Sequence, residues 1–357
     1  MRDNAPLPHS SVRIRLEYPC GEAPVPGLAR EVAPGVLWVR MPLPSTLDHI
    51  NLWVVRGAGG WAVFDTGMQT SDTADAWRRL CDSGGALAVG GIKSVLITHM
   101  HPDHVGMAGW LTRKFDCPLL MTRLEYLTCR VLVADTGREA PKDGVNFYRR
   151  AGWNDAALES YRTRFGGFGK WIYALPDSYR RLRDQERLPI GDFEWRVIVV
   201  SGHSPEHACF YNEGQKLLIS GDQVLPKITS NVSLFPTEPN ADPLGEWLDS
   251  IAKLRREVPD DVLVLPSHNE PFRGLHARLE YLADHHTRAL DRLRTALEKP
   301  RRAIDVFASL FSRPINSEPE LLGMATGESL AHLNYLVHRG EVIKDSTTDT
   351  VDWYRLK

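Results

Sequence analysis

The chain has 357 residues, enough for one large domain, or for a large domain with a smaller one attached. Hydrophobic residues make up 43% and charged residues 25%, the balance of an ordinary globular protein rather than a disordered or membrane-spanning one. A formal net charge of -2 supplies no global attraction to nucleic acid or anionic lipid, and five cysteines without paired spacing indicate reduced thiols rather than a disulfide framework.

In chain order, the first stretch, MRDNAPLPHSSVRIRLEYP, has no apolar core of signal-peptide length, and no later run approaches a membrane span. A cytoplasmic protein without membrane contact is expected. Five short runs rich in Val, Ile and Leu then predict buried strands, and each ends in a residue able to bind metal. WAVFDTG reaches Asp65, SVLITH reaches His99, WRVIVVSGH reaches His203, KLLISGD reaches Asp222 and DVLVLPSH reaches His268. Helix-like stretches such as TADAWRRLCDSG and GEWLDSIAKLRREV lie between them, so a layered α/β domain is expected. In such sheets ligands bind beyond the carboxyl ends of strands, where five such ends can converge on one point.

The densest chemistry is THMHPDHVGM, residues 98–107. His99 and His101 can splay toward one cation from an extended loop. Asp103 and His104 follow Pro102, whose ring stiffens the loop, and can face a second cation. Imidazole with carboxylate suits zinc, iron and similar first-row ions. His203 could complete a three-histidine site, His268 an Asp–His–His site, and Asp222 could bridge the two. A lone loop histidine is by default a solvated one; four candidate ligands in six residues at a strand end are not explained that way.

The ordered set THMHPDHVGM, SGHSPEH, SGD and PSH, with FDTG before it, resembles the metallo-β-lactamase superfamily over about residues 30–275. The resemblance implies an αββα sandwich of two mixed sheets with helices outside. It implies two divalent metal ions, zinc first, with iron or manganese as alternatives. His99, His101 and His203 would hold one ion, Asp103, His104 and His268 the other, with Asp222 between them and Asp65 supporting from behind. It also implies a hydrolase in which bound metal lowers the pKa of water from about 15.7 toward about 7. Asp103 would orient the nucleophile and carry a proton. A second water or His207 could protonate the leaving group, although for His207 a packing or loop-ordering role is the favoured reading. Glu206 stands where many relatives have Gly.

Residues from about 122 to 190 read as a lid inserted into a catalytic domain of residues 1–275. Thirteen Lys and Arg against nine Asp and Glu, with Tyr148, Trp153, Tyr161, Phe165, Phe168, Trp171 and Tyr173, suit an anionic, partly apolar substrate such as an acyl thioester. The alternative, held equal, is a helical cap whose aromatics pack and whose arginines are solvated. RFGGFGK reads as a mobile loop and lacks the ending of a phosphate-binding loop.

Residues 276–357 change character. HARLEYLADHHTRALDRLRTALEK, PRRAIDVFASLF and ESLAHLNYLVHRG predict helices, and EVIKDSTTDTVDWYRL a hairpin. His285 and His286 are expected on an exposed face of this helix, as structural or solvated residues. Helices followed by a hairpin resemble the winged-helix appendage of the β-lactamase-like protein 2 branch, whose animal members resemble endoribonucleases. Acidic and basic residues are balanced in this tail, so nucleic-acid binding is disfavoured; packing beside the site, or against a second copy in a homodimer, is expected. The leading function is hydrolysis of a thioester or lactone. A single-strand endoribonuclease and a mononuclear-iron sulfur-oxidising relative are the alternatives.

Overall fold

The computed structural model describes residues 15–315, 318–347 and 350–357. The stretch read above as lacking an apolar leader lies, through residue 14, outside the described residues, as does part of the predicted hairpin's turn.

Seven strands form one sheet, in sequence order: β1 (Ala29–Ala33), β2 (Val36–Pro42), β3 (His49–Gly57), β4 (Gly60–Phe64), β5 (Ile92–Leu96), β6 (Leu119–Met121) and β7 (Arg180–Arg181). Pairing is antiparallel through β4 and parallel from β4 to β7. A second sheet contains β8 (Arg187–Ile190), β9 (Phe193–Val200), β10 (His207–Asn212), β11 (Leu217–Gly221) and β12 (Leu263–Pro266), in the order β12-β11-β10-β9-β8. The five runs singled out in the sequence are β4, β5, β9, β11 and β12. Because β9 and β11 both run antiparallel to β10, and β12 parallel to β11, these three strands share one direction. Their carboxyl ends therefore open on one edge.

Alternation along the strands builds the layers. In β3, Trp53 and Val55 point between the sheets, where they meet Phe64, Trp195 and Phe210; Leu52 and Val54 point to the opposite face. The Phe64 and Phe210 rings, one from each sheet, meet edge to face at 4.8 Å. Strands buried on both faces read as continuous apolar runs, as these do. Each fully buried large side chain contributes about 1.5–3 kcal/mol.

Helices cover both outer faces. α1 (Ser71–Cys81), α2 (Pro102–Val105), α3 (Ala108–Phe115) and α4 (Arg123–Ala134) lie on the first sheet's side, and α5 (Lys142–Ala151) and α6 (Asp155–Arg164) continue the insertion after α4. α7 (Pro243–Glu257) and α8 (Leu275–Ala296) cover the second sheet, α7 starting from an Asp242 cap with Pro243 behind it. α9 (Phe307–Leu310), α10 (Pro319–His338) and the antiparallel hairpin β13 (Val342–Asp345) and β14 (Trp353–Leu356) complete the tail. The αββα sandwich, the helical insertion and the helices-then-hairpin tail are as expected. One hydrophobic cluster runs without a break from β11 and β12 through α7 and α8 to Leu330, Leu333 and Leu336 of α10.

His286 corrects the expectation of an exposed face. Leu275, Leu279, Leu282, His286, Leu290 and Leu293 form one helical stripe, and His286 is buried within it. Its Nδ1 lies 3.2 Å from Nε2 of His332, whose own Nδ1–H donates to Glu328 O at 2.8 Å. Burial lowers His332 to about 4. The unfolded chain, near 6.5, then binds the proton more readily, so this contribution to stability is complete above pH ~6.5 and is lost as the pH falls through about 4, by roughly 3 kcal/mol in all. Urea unfolding at pH 7.5 and pH 4.5 should show the native chain losing more stability on acidification than His332→Gln does. Parallel losses would remove His332 from the acid response.

Candidate metal centre

β5 ends at Leu96; Ile97 and Thr98 follow it, and the chain then turns out of the sheet. His99 and His101 lie in the turn, and Pro102 starts α2, whose first turn carries Asp103 and His104. His203 follows β9, Asp222 follows β11 and His268 follows β12. The structure brings all seven together. His99, His101 and His203 form one cluster, Asp103, His104 and His268 a second, and Asp222 joins His99 and His104 in a third. His99 Nε2 stands 2.8 Å from His101 Nδ1 and 3.3 Å from His203 Nε2. Asp222 divides its two oxygens: Oδ2 faces His203 Nε2 at 3.6 Å, while Oδ1 faces His104 Nε2 at 3.5 Å and His268 Nε2 at 3.4 Å. Asp103 Oδ2 lies 3.4 Å from His268 Nε2 and 3.6 Å from His104 Nε2.

Partners behind the cluster fix the rings. His203 Nδ1–H donates to Asn231 O at 2.8 Å, His268 Nδ1–H to His49 O at 2.9 Å, and His104 Nδ1 lies 2.8 Å from Asp65 Oδ2. Each bond leaves Nε2 aimed into the cluster, the arrangement that metal-binding histidines adopt. Asp65 also accepts from Thr98 N at 2.8 Å and Thr98 Oγ1 at 2.9 Å. It does so from a left-handed backbone, φ 59°, which aspartate tolerates better than most residues.

The donor set fits divalent ions. His104 Nε2 and Asp222 Oδ1 are buried without a hydrogen-bond partner, a costly state that a cation between them would relieve. Burial lowers His99, His101 and His203, keeping them neutral, the form that ligates. Burial would also lower His104 and His268. The carboxylates of Asp103 and Asp222 outweigh it and hold both above the usual imidazole range, His268 at about 10. A pocket that stabilises imidazolium so strongly stabilises other cations in the same place.

His207 is not free to serve a leaving group. It is fully buried, its ring stacks on His99 with centroids 4.9 Å apart, and both nitrogens are engaged. Asp222 N–H donates to Nε2 at 3.2 Å, and Cys209 Sγ lies 3.8 Å from Nδ1. Gly221 makes room for the ring: a Cβ there would stand 2.4 Å from His207 Nε2. His207 holds Asp222 in place, as the packing and loop-ordering reading has it.

The lid's side chains are more engaged than a substrate-gripping surface requires. Tyr148 stacks on Trp153 at 4.3 Å and meets Tyr161 at 4.8 Å, around buried Val145 and Leu158; Trp171 and Tyr173 stay exposed. Arg149, Arg150 and Arg180 pair with Asp155, Asp352 and Glu186. The glycines of RFGGFGK serve close approach: a Cβ at Gly169 would stand 2.0 Å from Thr136 Oγ1, and residues 168–171 form a 3-10 turn. Local composition could not show these pairings.

Comparison with known proteins agrees with this geometry. Residues 45–268 match the model of the metallo-β-lactamase superfamily, well over half of the chain. The chain belongs to the metallo-β-lactamase superfamily. Residues 290–357 match the C-terminal domain that accompanies such proteins. A β-lactamase domain protein from Burkholderia ambifaria has the same fold, with 38% identity and a TM-score of 0.86 over 96% of this chain and 98% of that one. The probable metallo-hydrolase YqjP of Bacillus subtilis is 25% identical over 84% of this chain and 92% of its own length. The human acyl-coenzyme A thioesterase MBLAC2 is 24% identical over 68% of this chain and 81% of its own. As a superfamily member with metallo-hydrolase relatives and this cluster, the chain is a metal-dependent hydrolase that takes divalent ions. Among the described residues no helix is long and apolar enough to cross a membrane.

Proposed function

We propose that the chain is a binuclear hydrolase of carboxyl ester-type bonds, with an acyl thioester as the leading substrate class and a lactone next. The observation that carries this reading is Asp222, whose two oxygens face different histidine groups. When bound, two divalent ions supply activated water at neutral pH and polarise the substrate oxygen. The chain's own residues do the rest. His99, His101 and His203 would hold one ion and Asp103, His104 and His268 the other, with Asp222 within reach of both. Asp103 is held below the usual carboxylate range: burial opposes this, but His104 and His268 outweigh it. At 18% exposure its side chain is the most open of the cluster's carboxylates, so as an anion it can accept a hydrogen bond from incoming water and orient it. The similarity to a thioesterase supports the substrate class.

A ribonuclease has less support. A helix that reads nucleic acid needs a free face, whereas α10 is enclosed along much of its length, with Ala325, Leu330, Leu333 and Leu336 all buried. Elemental analysis should give two ions per chain, and acyl-coenzyme A thioesters should be hydrolysed faster than single-stranded RNA. One tightly held ion that added zinc, manganese or iron cannot raise would favour the mononuclear sulfur-oxidising alternative. Efficient RNA cleavage without thioester hydrolysis would favour the nuclease. The ion recovered in largest amount identifies the native metal, with zinc expected.

A further inference from the structure

Glu125 lies in the first turn of α4, fully buried. A carboxylate there would ordinarily accept from its own helix's first N–H groups. Instead both oxygens go elsewhere. Oε2 accepts from Met100 N–H at 2.8 Å, and Oε1 accepts from Glu206 N–H at 2.8 Å. Met100 stands between His99 and His101, and Glu206 stands between His203 and His207. One planar group thus spans the two loops that together supply His99, His101 and His203.

We propose that Glu125 is a positioning residue that sets the spacing of these two loops, and so the affinity and geometry of the ion held by His99, His101 and His203. The inference rests on the two-metal reading above. The residue type supports it. A glutamine would be cheaper to bury, but it offers one acceptor oxygen, and its amide NH2 would confront the second N–H. Two donors from two loops require two acceptors. Burial raises this carboxyl to about 7, a cost the chain bears at a position where most helix residues would pack more easily. Two more bonds tie the same helix start to the same loop: Thr122 Oγ1–H donates to Glu206 O at 2.7 Å, and Leu124 N–H donates to Glu206 Oε2 at 2.8 Å.

The test is metal affinity, by chelator competition with zinc, together with the visible absorption spectrum of the cobalt(II)-substituted full-length chain. Native protein should bind two ions. Glu125→Gln, with an unchanged circular dichroism spectrum, should weaken one of the two by about 10–100-fold and alter the cobalt spectrum, while the other site changes little. A Glu125→Gln chain with native affinity and spectrum, even if less heat-stable, would reduce Glu125 to a packing residue and overturn the inference while leaving the two-metal reading intact. Native protein that binds no ion would overturn that reading instead. If Glu125→Gln fails to fold, Glu125→Asp decides. It keeps two acceptor oxygens but shortens the reach by one methylene, so it should loosen the tie between the two loops and weaken the same site several-fold; unchanged affinity would overturn the proposal.

Discussion

Asp222→Ala should cost the chain at least one bound ion and lower kcat/KM by more than about 100-fold, with the fold retained. Partners that only orient metal ligands cost about 10–100-fold when removed, so a shared ligand should exceed that range. The alanine also removes one of the two carboxylate oxygens that face both His104 and His268, leaving Asp103 Oδ2 alone. His101→Ala and Asp103→Ala should likewise remove most turnover, because each takes away a proposed metal ligand, while the chain stays folded, because these residues lie in a loop and one short helix beyond β5 rather than in the core. Ion counting and steady-state kinetics on the purified variants check this. Full activity in any of the three would refute the assignment of the site.

Glu328→Ala should lower metal affinity or activity by about 10–100-fold although Glu328 belongs to the tail and touches no ligand. Its Oε2 accepts from Asn231 Nδ2 at 3.0 Å, and the carbonyl of Asn231 fixes His203. Burial raises the Glu328 carboxyl to about 7, a cost consistent with its supporting role. Leu234 N–H also donates to Gly327 O at 3.0 Å, so the 231–234 segment is tied to α10 at two points. Unchanged affinity for both ions would mean that the tail packs beside the site without tuning it.

The seven ligand candidates and their strand ends were readable because metal chemistry is written in residue type and short spacing. His-x-His-x-Asp-His is local, and strand runs buried on both faces announce themselves by continuous apolarity. His286 could also have been read, since it falls on the apolar stripe of α8.

The supports were not readable. Glu125 reaches Glu206 across 81 positions, and Asn231 reaches Glu328 across 97. No local period encodes such pairings, because they arise only when separate layers pack. The same holds for the lid, whose arginines and aromatics satisfy one another in three dimensions while composition alone leaves them free to grip a substrate. The sequence by itself determined the candidate ligand set, the strand ends that deliver it and the layered architecture. Only the tertiary structure decided which groups hold the ligands at the right spacing, because that depends on contacts between segments far apart in the chain.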